Sequence, residues 1–286
     1  MAIRLDGKIV SQKIYDKLKQ RVASVHPKPT LAVVLVGGDE ASKVYVSNKE
    51  KACKEIGYVS KKINLPESVS EEELIHTINQ LNTDETIHGI LVQFPLPDRI
   101  KHMEPYIINS INPTKDVDGF NPTNVGAYMT CKKTICTDLF LPCTPYGIIQ
   151  LLQYYNITLS GKHAVIIGRS NLVGKPLAML LLGEDATVTI CHSKTEKLKE
   201  ITKQADILIV AIGKPNVINT SFVKPGVVII DVGINRTTEG LIGDVDYTSM
   251  EKVASAITPV PGGVGPMTIA SLMQNVWKAY HTNSEK

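Results

Sequence analysis

The chain has 286 residues, a mass of 31.3 kDa, 43% hydrophobic and 21% charged residues. Its composition is that of an ordinary soluble globular protein and excludes collagen-like, disulfide-scaffold and disordered chains. At roughly 150 residues per domain, the length predicts two domains or one large one. The 31 Lys and Arg residues against 28 Asp and Glu residues leave a net charge of +3, which is too small to indicate nucleic acid or a membrane surface as the main partner.

The cysteine pattern predicts reduced thiols in a cytosolic protein. The five cysteines are Cys53, Cys131, Cys136, Cys143 and Cys191. They form no CxxC pair and no histidine cluster accompanies them, so no zinc site is expected. The opening MAIRLDGKIV lacks the apolar region of a signal peptide, and no stretch approaches the ~20 apolar residues of a membrane span.

The first 95 residues predict an opening helix followed by β-α-β-α-β. The opening helix follows from the spacing of Ile14, Leu18, Val22 and Val25. Strands are predicted at 31–36, 58–65 and 87–94, and helices at about 40–56 and 70–81. The continuous apolar run at 31–36 is typical of a buried parallel strand. The proline-rich stretch from about 99 to 145 is predicted to be irregular.

The second half predicts a doubly wound parallel sheet. Strands are expected at 163–168, 186–190, 206–213 and 227–233, and helices at about 146–155, 174–183, 195–204 and 266–280. Thr144 is the expected N-cap of the helix at 146–155. This alternation is typical of βαβ units and predicts an α/β fold with a domain crossover near residue 145.

A glycine-containing turn joins the first strand of the second half to its helix. In VIIGRSNLVGKP (165–176), Gly168 ends the strand and Gly174 lies in the first helical turn. Ser170 stands where the dinucleotide fingerprint usually has its second glycine. Because N–H groups at a helix N-terminus bind phosphate, the pattern indicates a nucleotide site. The alternative is a tight turn that needs small residues.

The end of the second strand of this half favours NADP over NAD. NAD sites usually place an acid there to bind the ribose hydroxyls. Here the sequence is Cys191-His192-Ser193-Lys194, and Arg169 directly follows Gly168. A cation with a hydroxyl suits a 2′-phosphate. The alternative is that Arg169 is a solvated surface residue.

Lys49 is predicted to share a helix face with apolar residues. That face is assigned to Val44, Tyr45, Ala52 and Ile56. A lysine on a core-facing stripe is costly unless it is paired or used, and a desolvated lysine can transfer protons. The alternative is that Lys49 reaches the rim of the core. The Tyr-x-x-x-Lys pair precedes the glycine turn, which excludes a short-chain dehydrogenase.

Three more segments are candidate ligand sites. Gln93 follows a predicted strand, where doubly wound domains place ligands, although it could be a satisfied amide in a turn. DVDGF (116–120) has two acids but lacks the later ligands of a calcium-binding EF-hand. TPVPGGVGP (258–266) is either a ligand lid or a simple turn.

Together these segments resemble the bifunctional methylenetetrahydrofolate dehydrogenase/cyclohydrolase family. The matching strings occur in the family's order and cover nearly the whole chain. They are YVSNKEKACKEIG (45–57), ILVQFPLP (90–97), DVDGF (116–120), PCTPYGI (142–148), GRSNLVGKP (168–176), ATVTICHSKT (186–195), ADILIVAIGKPN (205–216), DVGIN (231–235) and PVPGGVGPMTIASL (259–272).

The resemblance implies two α/β domains that flank a cleft, the second a Rossmann-like doubly wound parallel sheet. Residues 1–145 with the C-terminal helix 266–286 would bind folate, and residues 146–265 would bind NADP. The enzyme would oxidise 5,10-methylenetetrahydrofolate and hydrolyse the methenyl product to 10-formyltetrahydrofolate. The resemblance also implies a cytoplasmic homodimer in purine biosynthesis with no metal, nucleic-acid or membrane partner.

The resemblance also implies roles for individual residues. Lys49 would assist proton movements, Gln93 would hold Lys49, Tyr45 would stack on the folate ring, and Asp118 would anchor the pterin's donor edge. The implied folate-binding residues are Tyr45, Lys49, Val92, Gln93, Phe94, Asp118, Pro261, Gly262, Gly263, Val264 and Gly265. The implied cofactor-binding residues are Gly168, Arg169, Ser170, Ser193 and Ile234.

Three alternatives stay open at this point. Family members that use NAD with a metal and phosphate exist. A shikimate-type NADP-linked dehydrogenase has a similar domain order, although the VQFPLP and PVPGGVGP strings argue against it. A folate- or nucleotide-binding module without catalysis is the third alternative, and the presence of Tyr45, Lys49, Gln93 and Asp118 together argues against it.

Overall fold

The chain folds into two compact α/β units. The computed structural model describes residues 2–130, 139–238 and 240–284. Of these, residues 12–127, 139–141 and 269–284 form one unit, and residues 2–11, 128–130 and 142–268 form the other. We call them the three-stranded unit and the six-stranded unit, after their main sheets.

Helices and strands alternate along most of the described chain. In chain order the elements are β1 (Ile3–Arg4), α1 (Gly7–Val22), β2 (Thr30–Val36), α2 (Glu40–Ile56), β3 (Val59–Leu65), α3 (Glu71–Thr83), β4 (Gly89–Val92), a 3₁₀ helix (Asp98–Met103), α4 (Glu104–Ser110), α5 (Pro122–Thr130), α6 (Cys143–Tyr154), β5 (His163–Ile167), α7 (Gly174–Gly183), β6 (Thr187–Cys191), α8 (Leu198–Thr202), β7 (Ile207–Val210), a second 3₁₀ helix (Thr220–Phe222), β8 (Val228–Asp231), β9 (Asn235–Thr237), β10 (Gly240–Ile242), α9 (Tyr247–Met250), β11 (Ala256–Ile257) and α10 (Val264–Ser284).

The three-stranded unit has a parallel sheet in the order β3-β2-β4. The central strand β2 is buried at every residue after Thr30, as its continuous apolar run predicts. One face of the sheet packs on apolar residues of α3, including Leu74 and Ile78. The Ser70 side chain caps α3, because it accepts the N–H of Glu73 at the start of the helix.

The buried face of α2 differs from the predicted one. Its buried residues are Ser42, Val46, Ala52, Cys53 and Ile56. Val44 and Tyr45 are 45% and 39% exposed, so their assignment to the apolar face was wrong. Helical spacing of three and four residues instead places Lys49 between Val46 and Cys53 on the buried stripe.

The described part of the middle of the chain is largely helical and not irregular as predicted, and residues 131–138 of that stretch lie outside the described residues. The 3₁₀ helix at Asp98–Met103 leads directly into α4, and α5 follows the DVDGF loop. Pro105 lies in the first turn of α4, and Pro122 is the first residue of α5. Proline is tolerated in a first helical turn, where its missing N–H is not needed. These prolines therefore begin helices rather than exclude them.

The six-stranded unit confirms the predicted α/β fold with a doubly wound parallel sheet. Its strand order is β1-β11-β8-β7-β5-β6, and all neighbours are parallel. Strand β5 lies between β6 and β7, so the winding reverses beside β5. The carboxyl ends of β5 and β7 form the topological switch point, where open α/β sheets bind ligands.

Several predicted boundaries shift in this unit. Thr144 is inside α6 rather than at its N-cap, and its hydroxyl lies 2.9 Å from that of Thr268. Helix α8 is shorter than predicted, because residues 192–195 form a turn in which the Thr195 hydroxyl accepts the N–H of His192. Two-residue strands such as β1 and β11 carry too little periodicity to predict.

Cys53, Cys143 and Cys191 are buried. The other two cysteines, Cys131 and Cys136, lie outside the described residues. Within the described part of the chain, no helix is both long and apolar enough to span a membrane.

Candidate active site

A lysine and a glutamine from neighbouring elements meet in the three-stranded unit. Helix α2 carries Lys49 on its buried stripe, and Gln93 is the first residue after β4. The Lys49 Nζ donates to Gln93 Oε1 over 2.7 Å. The backbone N–H of Gln93 donates to the carbonyl of Val34, which ties this position to the central strand. Lys49 is half-buried at this contact.

A second hydrogen bond fixes which way the Gln93 amide faces. Its Nε2 donates to the carbonyl of Phe94 over 2.7 Å, so the oxygen is the atom turned towards Lys49. An amide oxygen carries no charge and accepts from either an ammonium or a neutral amine. The contact therefore positions the Lys49 nitrogen in both of its protonation states.

Tyr45 lies one helical turn before Lys49 on α2. The spacing of four residues places the two side chains on neighbouring positions of the helix surface. Tyr45 is 39% exposed, and its aromatic ring presents an accessible surface beside the amine. The structure thus brings Tyr45, Lys49 and Gln93 into one region of this unit.

The DVDGF loop runs beside β4 in the same unit. Its residue Asp116 forms a parallel bridge with Ile90. Farther along the sequence, the Asn275 side chain of α10 donates to the carbonyl of Val117 over 2.8 Å. The loop therefore extends in the direction in which β4 leads to Gln93, and it carries Asp118, which is half-buried.

The two acids of this loop differ in their surroundings. Asp116 is 2% exposed and accepts the backbone N–H groups of Gly119 and Asn121 at 3.1 and 2.7 Å and the side-chain amide of Asn124 at 2.9 Å. Burial raises the pKa of Asp116, while these hydrogen bonds oppose the rise. Asp116 shapes the loop that presents Asp118. The sequence analysis missed this role, although a DxDG turn is itself a signal for it.

Val92 and Phe94 flank Gln93 and differ in exposure. The Val92 side chain is 2% exposed within the core of the unit, and Phe94 is half-buried against the same core. Alternation along β4 turns the side chains of Val92 and Gln93 to opposite faces. The side chain of Val92 thus supports the strand, and its backbone is the part that adjoins Gln93.

The predicted nucleotide turn of the six-stranded unit is closely packed at its glycines. Gly168 has φ +136°, and a Cβ there would overlap the carbonyl oxygen of Ala211. A Cβ at Gly174 would overlap the carbonyl oxygen of Gly168. The Ser170 hydroxyl accepts the N–H groups of Val173 and Gly174 over 3.1 and 3.4 Å. The serine in place of a second glycine therefore caps the start of α7.

Arg169 and Ser193 occupy equivalent positions just after the adjacent strands β5 and β6. Ile167 of β5 is paired in register with Cys191 of β6, and the N–H of Gly168 donates to the carbonyl of Cys191. Arg169 lies two residues after Ile167, and Ser193 lies two residues after Cys191. Both side chains are exposed. Arg169 and Lys194 make this edge cationic, with no acid between 191 and 195.

Ile234 and the loop 261–265 adjoin each other in the six-stranded unit. Ile234 is 39% exposed, and its Cδ1 is 3.8 Å from where a Cβ on Gly265 would be. Pro261 is exposed, whereas Gly262, Gly263 and Val264 are buried. The carbonyl of Gly262 accepts the N–H of Gly7 over 2.9 Å. Since α10 begins at Val264, part of the predicted lid is the start of a helix.

The predicted site residues thus fall into two sets. Tyr45, Lys49, Val92, Gln93, Phe94 and Asp118 belong to the three-stranded unit. Gly168, Arg169, Ser170, Ser193, Ile234 and 261–265 belong to the six-stranded unit. Among the residues that the structure describes, no group of three or more His, Cys, Asp or Glu side chains is placed to hold a metal ion.

Two buried carboxylates in the six-stranded unit were not predicted from the sequence. Asp231 ends β8 and Asp244 follows β10, and they are 4% and 0% exposed. Each is an acid next to apolar residues and within two positions of a glycine, which was the available signal.

Family models match both halves of the chain. Residues 5–118 match the tetrahydrofolate dehydrogenase/cyclohydrolase catalytic domain, and residues 142–284 match the NAD(P)-binding domain of the same family. The bifunctional protein FolD of Halalkalibacterium halodurans is 55% identical over 281 residues, which cover 97% of this chain and 98% of the relative.

Solved structures agree with these matches. The FolD methylenetetrahydrofolate dehydrogenase/cyclohydrolase of Campylobacter jejuni has a TM-score of 0.92 at 48% identity and covers 99% of this chain and 100% of that one. The Trypanosoma brucei enzyme, solved with NADP cofactor and inhibitor, has a TM-score of 0.93 at 33% identity and covers 100% and 99%.

The shikimate-type alternative is disfavoured because shikimate dehydrogenases are only distantly similar to this chain. Shikimate dehydrogenase of Thermus thermophilus has a TM-score of 0.55 at 11% identity, which shows a shared fold alone. The comparisons confirm the function expected from the sequence, that of a bifunctional methylenetetrahydrofolate dehydrogenase and methenyltetrahydrofolate cyclohydrolase. The chain belongs to the tetrahydrofolate dehydrogenase/cyclohydrolase family.

Proposed function

We propose that Lys49, held by Gln93, moves the protons of the cyclohydrolase reaction, and that NADP is the hydride acceptor of the dehydrogenase reaction. The observation that carries the first part is the 2.7 Å hydrogen bond between Lys49 Nζ and Gln93 Oε1. It sets a half-buried amine at the carboxyl end of β4, where an α/β sheet presents ligands.

The dehydrogenase step needs no protein acid or base. The lone pair of folate N5 expels a hydride from the methylene bridge and leaves the methenyl cation. NADP, when bound, supplies the nicotinamide that accepts this hydride. The work of the chain in this step is orientation, for which Tyr45 offers its exposed ring and Asp118 a carboxylate that accepts two N–H groups of the pterin.

The cyclohydrolase step needs three proton movements, of which Lys49 carries out two. Water adds to the methenyl carbon and loses one proton, which the neutral Lys49 amine accepts. The carbon–N5 bond then breaks as the carbonyl of the formyl group forms, and N5 takes up a proton from the resulting ammonium. The remaining hydroxyl proton leaves to solvent, so one proton is released for each water consumed. Gln93 keeps the nitrogen in position throughout.

The glycine turn after β5 fits a dinucleotide. Gly168 and Gly174 leave no room for side chains, as expected of a fingerprint in which glycines allow a tight turn and close packing of the helix on the strand. Ser170 would act through the loop that it caps, and Ile234 would present its exposed side chain beside 261–265. We propose that Pro261, Gly262, Gly263, Val264 and Gly265 adjoin the bound folate.

The cationic edge formed by Arg169 and Lys194 supports NADP rather than NAD. A guanidinium with the Ser193 hydroxyl matches the charge and donors that a 2′-phosphate requires. The acid that would bind a free ribose hydroxyl is missing from this edge.

The organisation of the protein is proposed on family grounds. Residues 1–145 with 266–286 would form the folate-binding catalytic domain, and residues 146–265 the NADP-binding domain. The protein would act as a homodimer in the cytoplasm and supply formyl groups for purine biosynthesis. Light scattering on the purified chain measures its mass in solution, and a monomer would contradict the homodimer.

Absorbance spectra test the proposed function directly. The purified chain is mixed with 5,10-methylenetetrahydrofolate and either NADP⁺ or NAD⁺. Reduced nicotinamide should form with NADP⁺, and the methenyl intermediate should not accumulate. Equal rates with NAD⁺ would contradict the cofactor assignment. No reduction with either cofactor would contradict the dehydrogenase assignment.

A further inference from the structure

The buried carboxylate of Asp244 collects four hydrogen bonds from two loops. Its Oδ2 accepts the N–H groups of Ile212 and Gly213 over 2.7 and 3.0 Å. Its Oδ1 accepts the N–H of Lys214 over 2.8 Å and the side-chain amide of Asn235 over 2.9 Å. An ionised carboxylate has about four acceptor positions, so all of them are in use.

The second buried carboxylate, Asp231, holds Asp244 in place. Its Oδ1 accepts the backbone N–H of Asp244 over 3.0 Å, and its Oδ2 accepts that of Val245 over 3.0 Å. The two carboxylates pack so closely against Gly233 and Gly243 that neither glycine could carry a side chain. A Cβ on Gly233 would overlap the Asp244 carboxylate, and one on Gly243 would overlap that of Asp231.

Both loops held by Asp244 lie at the carboxyl edge of the sheet. Residues 212–214 follow β7, and Ala211 packs against Gly168 of the nucleotide turn at the topological switch point. Asn235 follows β8 and is the neighbour of Ile234. One buried side chain therefore holds the backbone of 212–214 and the side chain of Asn235, in two segments that border the proposed cofactor site.

We infer that Asp244, assisted by Asn235, is a positioning residue for the nicotinamide cofactor. It does not touch the cofactor but fixes the loops after β7 and β8 in the conformation that binds it. The inference rests on the proposed NADP site. Every donor named on Asp244 belongs to the six-stranded unit, whereas Lys49 and Gln93 belong to the three-stranded unit.

The test uses two variants of the full chain and a matched control. Asp244→Asn places an NH₂ group against two of the four donors. Asn235→Ala removes one of the four hydrogen bonds and leaves the carboxylate of Asp244 in place. Asp246→Asn is the control, because Asp246 lies in the same segment and accepts the N–H of Ser249 at the start of α9. NADP affinity is measured by calorimetry, KM and kcat by NADP⁺ reduction, and cyclohydrolase activity by methenyl hydrolysis without NADP.

The expected result separates positioning from folding. Asp244→Asn should weaken NADP binding and raise its KM about tenfold, and Asn235→Ala should do so about threefold. Methenyl hydrolysis should stay within twofold of the parent in both, and Asp246→Asn should match the parent throughout. NADP affinity unchanged in both variants would overturn the inference.

Two further outcomes are distinguishable. A parallel loss of both activities in Asn235→Ala, the milder variant, would show a role in folding alone and overturn the inference. A parent chain that binds NADP but does not reduce it would contradict the proposed function instead, and the calorimetric comparison would still decide the role of Asp244.

Discussion

The Lys49 amine lies 2.7 Å from the Gln93 amide oxygen, and the same amide donates its N–H to Phe94. Helix α2 contributes Lys49, and Gln93 directly follows β4, so the pair depends on the packing of the three-stranded unit. The neutral acceptor allows Lys49 to gain and lose a proton without losing its position. This is the property that hydration of the methenyl carbon requires.

Replacing Lys49 should abolish methenyl hydrolysis. Lys49→Met keeps a long side chain but removes the group that exchanges protons, so kcat should fall at least roughly 100-fold. Lys51→Met is the matched control, because Lys51 is exposed on the same helix. Hydrolysis is followed by the disappearance of methenyltetrahydrofolate, and an unchanged rate in Lys49→Met would refute the assignment.

Replacing Gln93 should have a smaller effect on the same reaction. Gln93→Met removes the acceptor of the 2.7 Å bond while retaining length, so Lys49 should lose its fixed position and cyclohydrolase kcat should fall roughly tenfold. Gln80→Met, at an exposed position of α3, serves as control. Parent-like kcat for Gln93→Met, measured at saturating substrate, would show that the amide does not position the amine.

Arg169 should determine the choice between the two nicotinamide cofactors. Arg169→Ala should raise KM for NADP⁺ roughly 10- to 100-fold, because a charge-assisted contact to the 2′-phosphate is lost. KM for NAD⁺ should change less than about twofold. Lys162→Ala removes an exposed cation just before β5 and should change neither value. Equal increases for the two cofactors in Arg169→Ala would contradict the assignment.

A side chain at Gly168 should disturb both stability and cofactor binding. Gly168→Ala introduces a Cβ that overlaps the Ala211 carbonyl at φ +136°, a strain of roughly 1–3 kcal/mol or more. Gly183→Ala at the end of α7 meets open space and should be neutral or slightly stabilising. Urea unfolding and NADP calorimetry compare the two. Equal stabilities would show that the turn relaxes around the added methyl group.

The pH dependence of stability should carry a contribution from Asp231. Burial, with Asp244 nearby, raises the pKa of Asp231 to about 7 in the folded chain. A raised carboxyl pKa means that the folded state binds the proton more tightly. The contribution of Asp231 to the free energy of unfolding is therefore fully present below the pKa that this carboxyl has in the unfolded chain. It is lost as pH rises through 7. The total change is about 4 kcal/mol, since one pKa unit is worth about 1.4 kcal/mol.

The contribution of Asp231 can be isolated with one substitution. Asp231→Asn cannot titrate, so its unfolding free energy should lack this dependence. The difference in unfolding free energy between parent and variant should shrink by about 3 kcal/mol from pH 5 to pH 8, because the unfolded carboxyl is already ionised at pH 5. Asp246→Asn should show no such trend. A constant difference between parent and Asp231→Asn would refute the raised pKa.

The parts of the fold that the sequence predicted are those with strong local patterns. The buried run of β2 and the helix α2, which ends before Gly57 at φ +94°, needed no tertiary information. The helices after Asp98 were not predicted because their prolines were taken to interrupt helices. The face of α2 was misassigned because Tyr45 is apolar in part yet lies outside the packed stripe.

The candidate site was predictable only where it rests on motifs. Lys49 and Gln93 lie 44 residues apart, and their contact depends on how α2 packs beside β4. The roles of Asp231 and Asp244 depend on loops that meet at the sheet edge, where no spacing rule applies. Spacing along the chain records helix and strand periods, whereas these contacts arise from packing between elements.

The most direct test of the account records full absorbance spectra of Lys49→Gln with 5,10-methylenetetrahydrofolate and NADP⁺. The glutamine N–H can still donate to Gln93 but cannot exchange a proton as the amine does. Reduced nicotinamide should form while the methenyl intermediate accumulates, unlike in the parent chain. Conversion to 10-formyltetrahydrofolate at the parental rate would contradict the central claim that Lys49 moves the protons of hydrolysis.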